Sequence, residues 1–266
     1  MLNYLDEKTY TLLCIIYGED SAMWMHDNLK STISNFYYNQ KNFIIFMLSL
    51  VLVKIYVVNI NYVPTGSMNP SIVEGDIVLV NKIASHFKKP SYGDIITFEK
   101  DNYYVKRIAG LPGDRVQIKN SSLYVNGKKT HVKVITPIVN ANVFPSAGRF
   151  KFTEYKEQNQ NSKIYSIVQI DVKDKLKERE ELYAEGIFIF DSPEYVVPAE
   201  SFFVIGDNRQ LSSDSRYTKI GFVKKSEIKG YPKSVLFNLK HIIKNSWNVI
   251  IGNDSELDNR VLISLD

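Results

Sequence analysis

Residues 103–114 read YYVKRIAGLPGD, an alternating strand-like run that ends in a turn rich in glycine and proline. A similar run, DIITF, precedes it at 94–98, and RVQI follows it at 115–118. Short runs of this kind, repeated about every ten residues with glycine or proline between them, are typical of mostly β domains. Similar strand-like runs occur elsewhere in the chain, at 76–81, 123–125, 187–190 and 202–205. The sequence therefore predicts a mostly β domain.

An apolar segment precedes these strand-like runs. Residues 43–60 read FIIFMLSLVLVKIYVVNI, with Lys54 as the only charge. This length is close to the minimum for a membrane-spanning helix, and the long side chain of Lys54 can reach the interface. Lys30 and Lys41 precede the run, whereas residues 61–80 contain no lysine or arginine. Because positive residues favour the cytoplasmic side, we expect one span with a cytoplasmic N-terminal tail and the main domain outside. A helix buried in a protein core is the alternative.

The strand pattern loosens between residues 131 and 186, where the polar stretch EQNQNSK (157–163) and the charged run DVKDKLKEREE (171–181) interrupt it. Such a charged run is typical of a solvated helix face or loop, so we expect an inserted β-rich subdomain here. The predicted organisation is an N-terminal tail (1–42), a transmembrane helix (43–60), a main domain in two parts (61–130 and 187–240) around the insertion (131–186), and a C-terminal tail (241–266).

The composition and the motifs of the sequence exclude several kinds of protein. The 266 residues include a single cysteine, so no intrachain disulfide can form. The net charge of +4 is too small to indicate nucleic-acid binding. No metal-site spacing and no phosphate-binding glycine motif occurs in the sequence. We therefore expect no metal, no cofactor and no nucleic acid.

Two polar residues, Lys106 and Ser67, lie at positions that suit a base and a nucleophile. Lys106 lies in the middle of an apolar strand-like run, which is unfavourable unless the side chain is paired or neutral. Burial lowers the pKa of a lysine and turns it into a base that works near neutral pH. Ser67 follows a glycine on a turn between Pro64 and Pro70, whereas none of the four histidines lies in such a motif. The alternative for Lys106 is an edge strand from which it points into solvent.

Four blocks of the sequence resemble type I signal peptidases, the leader peptidases that use a serine and a lysine. They are PTGSMNPSIVEGD at 64–76, YGDIITF at 92–98, YVKRIAGLPGD at 104–114 and GDNRQLSSDSR at 206–216. The blocks occur in the family's order behind the apolar run. The resemblance implies a partly open, barrel-like β catalytic domain with a β-rich inserted subdomain, tethered by an N-terminal transmembrane helix.

The resemblance also implies a role for each residue that matches the family's motifs. Ser67 would be the nucleophile and Lys106 the general base, with Thr65 helping the backbone N–H of Ser67 to form an oxyanion hole. Ser212 would orient the base through a hydrogen bond. The charged residues that would support the site are Arg107, Asp207, Asp214 and Arg216, the last two as an ion pair. The substrate, added as a β-strand along residues 61–65, would contact Tyr62, Val63, Pro64, Met68 and Tyr104.

The implied function is the removal of N-terminal signal peptides from exported preproteins by a membrane-bound serine endopeptidase. Its partners would be signal peptides and the lipid bilayer, with the catalytic domain on the outer face of the bacterial cytoplasmic membrane. Two positions depart from the family's usual residues, Ser71 and Leu211. The alternatives are a specialised paralogue that matures one or a few substrates, and a catalytically inactive, membrane-tethered binder of export substrates.

Overall fold

The computed structural model of the chain describes residues 11–12, 14–16, 18–138, 152–170, 191–243 and 261–265. The chain divides into two compact units, Met1–Ile55 and Tyr56–Asp266. The described helices are α1 (Glu19–Tyr56), the short α2 (Ala84–Phe87) and a 3-10 helix at Lys225–Glu227, and residues 11–12 and 14–16 are also helical. The described strands are β1 (Val58–Tyr62), β2 (Asp76–Asn81), β3 (Ile95–Glu99), β4 (Tyr103–Gly110), β5 (Arg115–Lys119), β6 (Ser122–Val125), β7 (Lys128–Lys129), β8 (His131–Ile138), β9 (Phe152–Gln158), β10 (Ile164–Ile170), β11 (Tyr195–Val196), β12 (Ser201–Ile205), β13 (Val223–Lys224), β14 (Ile228–Asn238) and β15 (Val261–Ser264).

The largest sheet carries the strand order β1-β2-β14-β3-β4-β12-β13, with β15 also paired to β14. All of these pairings are antiparallel. The register between β14 and β2 shifts next to Pro232 and next to Val235, and such irregularities bend a strand. The sheet therefore curls into a half-barrel. The predicted mostly β, barrel-like fold is confirmed at this level.

Apolar side chains alternate between separate hydrophobic clusters along the central strands. On β3, Ile95 packs with Met68 and Val80, whereas its neighbour Ile96 packs with Ile108 in another cluster. This alternation follows from the period of two along a strand. It leaves β4 buried on both sides from Lys106 onward, so polar residues in that part of the strand need internal partners.

Strands β5 to β11, which lie between β4 and β12 in the chain, form two smaller antiparallel sheets with orders β11-β5-β6-β7 and β10-β9-β8. Strands β5 and β6 form a hairpin joined through Asn120 and Ser121, which both have positive φ. The Asn126–Gly127 turn joins β6 to β7.

The N-terminal helix ends before the predicted transmembrane segment does. The prediction extended the segment to residue 60, but α1 ends at Tyr56, and Val58–Tyr62 form β1, which pairs with β2. The sequence did not reveal this boundary because a β-branched apolar run suits a buried strand as well as a helix. No helix within the described ranges is both long and apolar enough to cross a membrane.

Described parts of the predicted insertion contain the three-stranded sheet of β8, β9 and β10. The charged run at 171–181 and the expected strand at 187–190 lie outside the described residues. In the predicted C-terminal tail, β15 is an ordered strand on β14, with Val235 opposite Ile263. The predicted domain boundaries remain predictions.

Candidate active site

Ser67 lies on the turn that follows β1. The N–H of Val63 donates to the carbonyl of Asp76 at 2.9 Å, which ties the start of the turn to β2. On the other side of Ser67, Met68 is only 1% exposed and packs with Val63 in the core. Anchored on both sides, Ser67 is held half-buried at the edge of the sheet.

Lys106 lies on β4 opposite Ile96, and only 3% of it is exposed. Its Nζ lies 2.7 Å from Oγ of Ser67 and donates to the carbonyl of Val105 at 2.9 Å. The alternative in which Lys106 points into solvent from an edge strand is therefore wrong. The structure brings together the two residues that the sequence singled out for nucleophile and base.

Burial lowers the pKa of Lys106 from its ordinary 10.5 to about 8. The carboxylates of Asp214 and Asp207 act in the opposite direction, and the charge of Arg216 again lowers the value. With this pKa, about half of the Lys106 side chains are neutral at about pH 8. A lysine in water would be almost entirely charged at that pH.

Asp214 stabilises the loop formed by residues 206–216. It is buried and accepts hydrogen bonds from Nε and Nη2 of Arg216, both at 2.7 Å, and from the N–H of Gly206 at 2.9 Å. Burial by itself would raise the pKa of Asp214, but the charge of Arg216 and these hydrogen bonds lower it. A methyl group at Gly206 would overlap the side chain of Ser212 and the carbonyl of Ser67. Only glycine allows these groups to approach so closely.

The expected hydrogen bond between Ser212 and Lys106 is not formed. The Ser212 hydroxyl is buried and helps to lower the pKa of Asp214, but it has no hydrogen bond of normal geometry to any described residue. Nζ of Lys106 instead contacts Oγ of Ser67 and the carbonyl of Val105.

Arg107 and Asp207 form a second buried ion pair, with Nε–Oδ1 and Nη2–Oδ2 distances of 2.7 and 2.6 Å. Nη1 of Arg107 also donates to the carbonyl of Gly93 at 2.7 Å. Successive side chains of a strand point to opposite faces, so Lys106 can reach Ser67 while Arg107 holds β4 to the segment after β12.

A cleft of about 590 Å³ opens beside Ser67 and Lys106. Its lining includes all the residues expected to contact substrate, namely Tyr62, Val63, Pro64, Met68 and Tyr104. The Tyr104 ring stacks on Phe98 with a centroid separation of 5.4 Å. Thr65 is exposed at the mouth of the cleft, with its Oγ1 3.5 Å from Oγ of Ser67.

Asn208, Arg209 and Glu157 are buried near the site but were not among the residues predicted from the sequence. Asn208 is fully buried and its N–H donates to the carbonyl of Ser67 at 3.2 Å. Glu157 is the first residue of the polar stretch at 157–163, yet it lies on β9, is fully buried and pairs with Arg209. The signal for Asn208 and Arg209 was available, since both lie in the GDNR block.

The Ser67 hydroxyl contacts Lys106 and Thr65, and no histidine is among its described hydrogen-bond partners. Within the same ranges, no group of three or more side chains could hold a metal ion. A serine hydroxyl beside a lysine of lowered pKa, in an open cleft, suits nucleophilic attack on a carbonyl.

Similarity to known proteins points to one family. The signal peptidase family, peptidase S26, matches residues 38–237. "Signal peptidase I P" of Bacillus subtilis subsp. natto is 30% identical over 221 residues, which cover 82% of this chain and 98% of that protein. "Signal peptidase I" of Rickettsia bellii is 28% identical over 213 residues, covering 69% of this chain and 67% of that protein.

A crystal structure of a signal peptidase I from Enterococcus faecalis is 26% identical and covers 54% of this chain and 97% of that chain. The TM-score between the two structures is 0.28. The family match spans most of the chain, and the Bacillus protein is similar over nearly its whole length. The chain therefore belongs to the signal peptidase family, peptidase S26, and is a peptide-bond hydrolase.

Proposed function

We propose that this protein is a membrane-bound serine endopeptidase that removes signal peptides from exported preproteins, with Ser67 as nucleophile and Lys106 as general base. One observation carries the proposal: Nζ of a buried lysine with a pKa of about 8 lies 2.7 Å from a serine hydroxyl in an open cleft. The names of the related proteins support the choice of substrate.

The reaction begins when neutral Lys106 accepts the proton of the Ser67 hydroxyl. The freed Oγ attacks the carbonyl carbon of the scissile peptide bond, and a tetrahedral intermediate forms. Lys106, now charged, gives its proton to the leaving amine as the C–N bond breaks. Water then attacks the acyl-enzyme ester with Lys106 again as base, which releases the signal peptide and restores Ser67.

The backbone N–H of Ser67 and the hydroxyl of Thr65 would stabilise the negative oxygen of the intermediate. The position of Thr65 supports this role, because its Oγ1 lies 3.5 Å from Oγ of Ser67, close to where the carbonyl oxygen would lie. Loss of one such donor typically lowers the rate by about 10²–10³.

The substrate would bind as an added β-strand. In the described sheet, β1 is an edge strand whose only partner is β2, and β12 covers β4 only as far as Arg107. Residues 61–65 and 103–106 line the cleft together with Ser67, so a substrate strand could pair with the outer edges of these two segments. Shallow apolar pockets there would accept small residues at substrate positions −1 and −3.

We further propose that the apolar part of α1 anchors the protein in the bacterial cytoplasmic membrane, with the catalytic domain on the outer face. This part is shorter than a full span, but a bilayer can thin locally around a short apolar helix. Large apolar side chains between Phe43 and Tyr56 are exposed along this helix, an extent that water does not favour. Lys30 and Lys41 precede them, which supports a cytoplasmic N-terminus. Membrane fractionation and the accessibility of single cysteines in a Cys14→Ser background would test the anchoring and its orientation.

The proposed activity is tested with the full chain in detergent and a preprotein that carries an A-x-A cleavage site. We expect cleavage after that site by the wild type and none by Ser67→Ala or Lys106→Ala, although both variants fold. Cleavage by Lys106→Ala at the wild-type rate would refute the assignment of the base. A wild type that cuts one preprotein but not unrelated ones would favour the specialised paralogue. A wild type that binds preproteins and cuts none would favour the inactive binder.

A further inference from the structure

Residues 207–210, which follow β12, contact the turn that contains Gly66 and Ser67, here called the Ser67 turn. The backbone N–H of Asn208 donates to the carbonyl of Ser67, and its side-chain Nδ2 donates to the carbonyl of Gly66, both at 3.2 Å. Oδ1 of Asn208 accepts from the N–H of Leu211 at 3.3 Å, which fixes the orientation of the amide. Asn208 thus holds two consecutive carbonyls of the turn that carries the reactive hydroxyl.

The other side of this segment is held by β10 of the inserted sheet. The N–H of Val168 donates to the carbonyl of Asp207 at 2.9 Å, and the N–H of Arg209 donates to the carbonyl of Val168 at 3.0 Å. The two hydrogen bonds flank a parallel bridge between Val168 and Asn208. The side chain of Gln210 accepts from the N–H of Ile170 at 3.0 Å. Asn208 is therefore held between the Ser67 turn and β10.

A buried ion pair fixes the same segment to β9. Nη1 of Arg209 lies 3.0 Å from Oε1 of Glu157, and Nη2 contacts Oε2. Thr130 and Tyr165 also donate to the Glu157 carboxylate, at 2.9 and 3.0 Å. Glu157 is fully buried and Arg209 is 2% exposed, so each charge depends on the other.

We propose that Asn208 is a positioning residue for the Ser67 turn, and that the β9–β10 hairpin holds Asn208 in place through the Glu157–Arg209 pair. This inference rests on the proposed Ser67–Lys106 function. The insertion then serves the chemical step, since it keeps Oγ of Ser67 within 2.7 Å of Nζ of Lys106. A displacement of about 1 Å at a reacting group can reduce a rate about 10²-fold.

Three variants of the full chain test the proposal. Asn208→Ala removes the side-chain donor to Gly66 and keeps the backbone contact to Ser67. Glu157→Met combined with Arg209→Met removes the ion pair without leaving an unpaired buried charge. The matched control is Asn161→Ala in the β9–β10 turn, which removes one amide hydrogen bond, to Ser91 at 2.7 Å, far along the chain from residues 206–216.

Two readouts separate positioning from folding and from substrate binding. The first is the distance between Nζ of Lys106 and Oγ of Ser67 in crystal structures of the variants, which needs no substrate. The second is the division of any rate loss between kcat and KM, measured with a preprotein. We expect Asn208→Ala to lengthen the distance and to lower kcat by about 10- to 100-fold with KM changed less than about threefold. The double variant should act in the same direction, and the control should match the wild type in both readouts.

An unchanged distance with wild-type kcat in Asn208→Ala would overturn the role of Asn208. A raised KM with unchanged kcat would do so as well, since that result assigns Asn208 to substrate binding. Wild-type geometry and kcat in the double variant would overturn the role of the hairpin. If the wild type cleaves no preprotein, the proposed function fails, but the distance in the variants still decides the positioning proposal.

Discussion

Replacement of Lys106 by methionine should make the protein more stable while it abolishes activity. Burial lowers the pKa of Lys106 from 10.5 to about 8, a difference of about 2.5 units. At about 1.4 kcal/mol per unit, the charged lysine destabilises the folded state by about 3 kcal/mol well below pH 8. The folded pKa lies below the unfolded one, so the folded protein binds fewer protons between about pH 8 and 10.5. The wild type therefore becomes more stable across that window.

The assay is denaturant unfolding of the full chain in detergent at several values of pH, with Lys128→Met as the control at an exposed strand position. We expect Lys106→Met to raise the free energy of unfolding by about 2–3 kcal/mol at pH 7 and by about 1 kcal/mol at pH 9.5, because methionine fills the site without a buried charge. The control should change by less than about 0.5 kcal/mol at either pH. A gain that does not depend on pH, or a loss of stability at pH 7, would refute the burial argument.

Three further predictions concern catalysis. In the wild type, kcat/KM should rise with pH through a midpoint at about 8, because only neutral Lys106 can accept the Ser67 proton; a flat profile from pH 6.5 to 9.5 would contradict this. Gly206→Ala should lower cleavage at least about 100-fold, since its methyl would push against Ser212 and the Ser67 carbonyl; wild-type activity would show that the approach is not needed. Thr65→Val should lower kcat about 10²–10³-fold with little change in KM, as judged by steady-state kinetics, and a change in KM alone would remove Thr65 from the oxyanion hole.

The sequence predicted the elements whose pattern is local. The alternation around Lys106 and the glycine- and proline-rich turn after it were enough to place β4, and the turn between Pro64 and Pro70 was enough to single out Ser67. That Lys106 is buried could not be derived from the strand pattern, because an edge strand and a covered strand read alike when the neighbouring strands are unknown.

Partners that are distant in the sequence could not be predicted. Glu157 lies in a stretch of polar residues that resembles a loop, and its burial depends on Arg209, which is 52 positions further along the chain. The end of α1 was also misplaced, because Val58 and Ile60 suit a strand only once β2 is present to pair with them. The position of the Ser212 hydroxyl, packed against Gly206, depends on a close approach of loops that no local pattern encodes.

The most direct test of the Ser67–Lys106 mechanism is to trap the acyl-enzyme. A preprotein is mixed with the full chain, the reaction is stopped in acid within the first turnover, and the intact mass and the modified peptide are measured. We predict an adduct on Ser67 equal to the mass of the signal peptide minus one water, absent from both Ser67→Ala and Lys106→Ala. Cleavage without an adduct, or an adduct on another residue, would contradict the account.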